Sequence, residues 1–122
     1  MTNLLKETSE ILTKNCKSWT DVRWVGSKDF YAPIDRFIEV ARFTNYDAGY
    51  GAPEIATDLV VVGDNFWLER HEYDGAEWWE YKELPIKPNV GSDVGTLQSR
   101  DLGYKTLMEL QMEEEDIYDP LF

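Results

Sequence analysis

Glu69, His71 and Glu80 are the residues of this chain best placed to do chemistry. Glu69 and His71 stand two apart, so on a strand they share one face. A returning strand after Asp74-Gly75 would bring Glu80 beside them. Two carboxylates and an imidazole could hold a divalent cation, and a metal-dependent hydrolase would need that set. The hairpin register decides whether they meet. A two-residue Asp-Gly turn sets Glu69 opposite Glu80 and His71 opposite Trp78. Two facing carboxylates repel and call for a cation, whether a metal or a partner's arginine. A bulge at Gly75 instead sets His71 opposite Glu77 and Arg70 opposite Trp78. The bulged register avoids the like-charge pair and is the one expected. On that reading the lone histidine is a half-exposed strand residue, and no metal or other cofactor is expected.

No other constellation points to a reaction. GxGxxG, P-loop and HExxH patterns do not occur. The segment Gly49-Tyr50-Gly51 does not open a helix after a strand, so it makes no phosphate cradle. Cys16 has no histidine near it in sequence, and its place at the end of a helix predicts packing rather than nucleophilic work. With 24 acids in the chain, any one pair of carboxylates is uninformative about acid–base catalysis. No catalytic residue is assigned, and the chain is read as a binding protein rather than an enzyme.

The elements that would carry these residues follow from periodicity. Leu4, Leu5, Thr8, Ile11 and Leu12 mark one face of a helix over residues 3–16, capped by Thr2 or Asn3 and ended at Asn15. Val22 to Val25 form a short strand in which Asp21 and Arg23 alternate with Val22 and Trp24. Pro33 stands where a first helical residue belongs. Ile34, Phe37, Ile38 and Ala41 then repeat at helical spacing. Residues 44–57 form a loop. Leu59 to Val62 is an apolar run suited to a central strand. Phe66–Tyr73 and Ala76–Glu83 complete a three-stranded meander. Pro85, Pro88, Gly91 and Gly95 mark a flexible connection over 86–99. A last helix over 100–115 would carry Tyr104, Leu107, Met108 and Gln111 on one side, and the tail EEEDIYDPLF would fray or depend on a partner for its order. The fold class expected is α+β: an antiparallel sheet of three to four strands, ending in a C-terminal β-meander, with two to three helices on one face. A chain of 122 residues is read as a single domain, 1–122, with its core at about 3–85.

Charge narrows the partner. The net charge is −12, and residues 47–85 hold ten acids against two bases. Such a field repels nucleic acid and anionic membrane and steers basic proteins inward. Tryptophan and tyrosine in the same stretch suit an interface. The expected contacts are Glu69, Glu72, Asp74, Glu77 and Glu80, with Tyr73 or Trp78 as aromatic anchor. An unprotected edge strand also admits a homodimer. The single cysteine, the absence of an apolar run of membrane length and the lack of a signal-peptide core place the protein in the cytoplasm of the cell that makes it. An alternative is a binder of a small molecule or nucleotide signal, with Tyr46, Asp47, Tyr50 and Gly51 closing a loop over the ligand.

The residues Trp24-Val25-Gly26-Ser27, followed by NYDAGYGAPEIATDLVVVGDNFWLERHEYDGAEWWEYKELP, resemble a family of small acidic proteins carried by phages and prophages of Gram-positive bacteria. The resemblance covers roughly residues 20–86 and leaves out the C-terminal third. It implies no activity and no cofactor. It does imply a small accessory phage gene. Proteins of that kind are often inhibitors of host machinery, including anti-defence proteins that occupy nucleic-acid-binding surfaces. A compact acidic domain can set carboxylates where phosphates would lie.

Overall fold

A computed structural model describes residues 1–101 and 103–117, with side chains as far as Met112. The chain divides into two compact units, Met1–Pro85 and Ile86–Phe122. The first holds β1 (Thr2–Asn3), α1 (Leu4–Lys14), β2 (Val22–Gly26), β3 (Tyr31–Ala32), α2 (Ile34–Arg42), β4 (Asn45–Tyr46), β5 (Val60–Gly63), β6 (Phe66–Tyr73) and β7 (Ala76–Glu83). The α+β class is as expected. The sheet, however, has five antiparallel strands in the order β3-β2-β5-β6-β7, and β1 pairs with β4 in a separate two-stranded ribbon. The extra strands are two residues long, too short to leave a periodicity in the sequence.

Asn3 caps α1, its Oδ1 accepting from the Lys6 N–H at 3.0 Å, which supplies one of the donors left over at a helix start. Asn15 ends the helix. Cys16 follows with φ +60 and is exposed, so the packing expected of its thiol does not occur. Pro33 sits one place earlier than expected, as the cap before Ile34 rather than inside the helix. The Asn3 side chain donates to the Arg42 carbonyl at 2.9 Å and to Asn45 Oδ1 at 3.0 Å. Those bonds tie the start of the chain to the exit of α2.

Strand β2 departs from simple alternation. Its register against β5 shifts between Val22 and Trp24, so Arg23 is the extra residue of a bulge. Arg23 turns out to solvent and grips Asp64 with two bonds, Nε to Oδ1 at 3.0 Å and Nη2 to Oδ2 at 3.1 Å. The bulge lets Val22 and Val25 both enter the core and turns Trp24 to the opposite face. Strict alternation would have put Val22 and Trp24 together. The core joins Leu4 and Leu12 of α1 and Ala41 of α2 to Val25, Val61, Leu68 and Trp79 of the sheet. Both helices of this unit thus lie on one face.

In the second unit, α3 runs Leu107–Ile117. It begins later than expected because Gly103 and Tyr104 both have positive φ, which breaks the helical path. Thr106 and Glu109 cap it: the Glu109 N–H donates to Thr106 Oγ1 at 3.1 Å, and the Thr106 N–H to Glu109 Oε1 at 3.4 Å. Gln111 holds the preceding segment, accepting from the Gly95 N–H and donating to the Thr96 carbonyl, both at 2.7 Å. The tail expected to fray continues α3 as far as Ile117, and residues 118–122 lie outside the described part. No helix among the described residues is long and apolar enough to cross a membrane.

Candidate binding face on the hairpin

The hairpin carries the site, and its register is the two-residue one. Tyr73 pairs with Ala76, His71 with Trp78, Glu69 with Glu80 and Trp67 with Lys82. Asp74 and Gly75 have φ of +49 and +88, as a type I′ turn requires. A Cβ at Gly75 would make only ordinary contact with the Gly51 N, at 3.4 Å, so the positive φ and not space is what favours glycine there. The bulged register expected from charge is therefore corrected. Turn geometry, with Asp-Gly free to adopt positive φ, outweighs one like-charge pair worth a fraction of 1 kcal/mol.

The hairpin's two faces receive different fates. Toward the helices, Arg70 is 3% exposed and Glu77 4% exposed. Arg70 Nη2 donates to Glu77 Oε1 at 2.9 Å and to the Tyr46 hydroxyl at 3.0 Å, and Nη1 donates to Glu7 Oε1 at 3.0 Å. Its guanidinium also lies over the Trp79 ring, 4.8 Å from the centroid. Burial works against the Arg70 charge, but the bonds to Tyr46, Glu77 and Glu7 outweigh it and raise its pKa. The Tyr46 hydroxyl donates to the Glu7 carboxylate at 2.7 Å. Burial first, and then that bond to an anion, push its pKa up to about 12. Nearby, Trp79 Nε1 donates to Thr8 Oγ1 at 2.8 Å.

Glu77 also holds the loop after β4. Its Oε2 accepts from the Glu54 N–H at 2.7 Å and its Oε1 from the Ile55 N–H at 3.3 Å. Glu77 and Tyr46 were expected at a partner surface and in a ligand loop. Both are instead spent inside the fold, because their positions on β7 and β4 face the helices. Asp47, Tyr50 and Gly51 remain exposed on that loop. The small space bounded by Pro53, Ile55, Arg70 and Glu77 is about 30 Å³, room for one or two water molecules.

The outer face of the hairpin is organised differently. Three cross-strand lines run over it: Trp24–Val62–Trp67–Lys82, Val60–Glu69–Glu80, and His71–Trp78. Trp67 Nε1 donates to Glu69 Oε1 at 2.7 Å, and Trp78 Nε1 donates to Glu80 Oε2 at 2.8 Å. The same indole-to-carboxylate clamp thus occurs on both strands, two residues apart each time. His71 Nε2 lies 2.8 Å from Glu69 Oε2. The Trp67 indole first, and His71 second, lower the Glu69 pKa, so it presents a carboxylate. Glu80 has no ion-pair partner among the described residues. A shallow groove of about 540 Å³ runs along Trp24, Val60, Val62, Trp67 and Glu69. Glu72, Tyr73 and Asp74 sit exposed at the tip of the hairpin, beyond this clamp.

Of the expected contacts, the fold brings Glu69, Trp78 and Glu80 together and leaves Glu72, Tyr73 and Asp74 as a separate exposed tip. Strand alternation already places Trp67 on the face of Glu69 and His71, but the sequence reading missed Trp24 as a neighbour of that face. The repeat Trp-x-Glu at 67–69 and 78–80 was the available signal for the two indole-to-carboxylate bonds. Trp24 had none, since only the bulge at Arg23 turns it outward. Among the described residues no three His, Cys, Asp or Glu side chains converge as metal ligands. The carboxylates face each other, but each is turned to an indole. The chain matches no protein-family model, no curated protein and no solved structure.

Proposed function

We propose that this is a non-enzymatic acidic accessory protein, of the phage type its sequence resembles, that binds a basic protein surface. In that role it would inhibit a host nucleic-acid-handling or defence protein by occupying a groove built for phosphates. The observation that carries the reading is the Glu69–Glu80 pair. Two carboxylates stand directly opposite on a half-exposed sheet face, each oriented by a tryptophan N–H. An arginine or lysine from a partner relieves their repulsion and gains the flanking indole faces.

Salt-dependent capture tests this. Wild-type protein should retain a basic host protein at low salt and release it at high salt. The Glu69→Lys/Glu80→Lys variant should retain none. Capture that is indifferent to salt and to charge reversal overturns the reading.

A second reading, a small-molecule binder, is favoured by a groove of about 900 Å³ between the β2–β3 turn and α2, walled by Trp24, Phe30, Tyr31, Ile34 and Ile38. Apolar and aromatic walls of that size suit a ligand pocket. Native mass spectrometry of the purified protein would reveal such a ligand.

A further inference from the structure

The two edges of the five-stranded sheet are unlike. β3 offers two residues, a short edge of the kind that blocks further pairing. β7 offers eight. It pairs with β6 through an unbroken register, with no bulge and no proline.

Two bonds fix which way its backbone groups point. The Leu84 N–H donates inward to the Asn65 carbonyl at 2.7 Å, and the Glu77 N–H donates away from β6, to the Ala48 carbonyl, at 2.7 Å. The even-numbered N–H groups of β7 therefore face β6. Those of Glu77, Trp79, Tyr81 and Glu83 face out. The loop carbonyl of Ala48 satisfies the first. No described residue accepts from the other three. A row of unpaired strand donors and acceptors is a template for one more strand.

The side chains beside that edge say what kind of strand fits. Glu80 on the outer face and Glu83 at the end of the strand are acidic, with Glu69 one strand inward. Lys82 is the only base on β7. A second copy of the chain would bring the same acids and a further net charge of −12. Charge thus disfavours self-pairing and favours a strand with lysine or arginine at alternate positions.

We propose that β7 takes up an extended basic segment of the partner protein as a sixth strand. The segment's backbone bonds to Trp79, Tyr81 and Glu83. Its cationic side chains lie over Trp78 and reach Glu80 and Glu69. This rests on the basic-partner reading above and adds the way in which the partner is held.

Amide exchange by NMR tests it, with a short capped peptide alternating lysine and valine as the probe. Binding should slow exchange of the Trp79, Tyr81 and Glu83 amides about tenfold or more, as bonded amides do. Tyr81→Pro removes one outward donor and leaves the bonds to β6 in place. It should bind the peptide about tenfold more weakly than Tyr81→Ala, which loses the same ring but keeps the donor. Binding that shifts Trp78 and Glu80 while those amides stay unprotected, with the two variants equal, overturns strand addition and leaves the basic-partner reading standing. No binding at low salt overturns both. Protection that grows with protein concentration in the absence of peptide makes a second copy the occupant and overturns the proposal.

Discussion

The inner and outer faces of the β6–β7 hairpin use the same residue types for opposite ends. Inside, Glu77 and Arg70 stand among Trp79 and Tyr46, and every carboxylate oxygen of Glu77 is matched by a donor. Outside, Glu69 and Glu80 stand among Trp67 and Trp78, and each is held by an indole with no arginine or lysine among the described residues bonded to it. One step along the strand separates the two sets. Glu77 on the inner side is consumed in holding a loop and Arg70, whereas Glu69 and Glu80 on the outer side are oriented and left available. In a chain of net charge −12 the count of acids says little, and midway along the hairpin one step of the strand separates the spent Glu77 from the presented Glu69 and Glu80.

The contrast is broken most severely from the inside. Arg70→Met leaves the buried Glu77 carboxylate and the partly exposed Glu7 without their cation. Urea unfolding should show a loss of about 3–5 kcal/mol, the usual result of removing one member of a buried pair. Thr8→Val removes the acceptor of the Trp79 indole and strands a buried N–H. It should cost about 1–3 kcal/mol in the same measurement. Alkaline titration gives a further test. The Tyr46 pKa is raised in the folded state to about 12 from an ordinary value of about 10. Its contribution to stability is therefore complete below about pH 10 and is lost as pH rises toward 12. Tyr46→Phe should remove that part of the alkaline fall, seen by denaturation at a series of pH values.

The outer face should behave in the reverse way. Glu69→Gln combined with Glu80→Gln should leave stability within about 0.5 kcal/mol, because an opposed like-charge pair is relieved as two charges are lost. The same variant should lose the salt-sensitive retention of a basic partner. A large loss of stability instead would place these acids with the inner set. The smallest effect expected is at the turn. Asp74→Asn keeps a residue tolerant of positive φ at a type I′ position and should alter the unfolding midpoint very little. A marked change would show that the Asp74 carboxylate has a role beyond the turn.

Much of the fold was legible because local patterns and tertiary packing agree. Leu4, Thr8 and Leu12 repeat at helical spacing and are all buried. Asp74-Gly75 sits between two alternating runs and makes the turn that pairing of that kind specifies. What was misread lies where neighbours in space overrule neighbours in sequence. The hairpin register was argued from one repulsive pair, without the indoles that hold each acid in place. Tyr46 and Glu77 read as surface residues because each is polar or amphipathic and near a glycine-rich turn. Their partners Glu7 and Arg70 are, respectively, 39 and 7 residues away.

The sequence by itself determined the α+β class, two of the helices, the meander and the concentration of acids and tryptophans upon it, because periodicity and turn chemistry act within a few residues. Only the tertiary structure decided which acids are spent and which are presented. That outcome depends on the bulge at Arg23, on which face α1 covers, and on a buried arginine collecting carboxylates from distant segments. No local pattern encodes those arrangements, since each joins segments far apart in sequence.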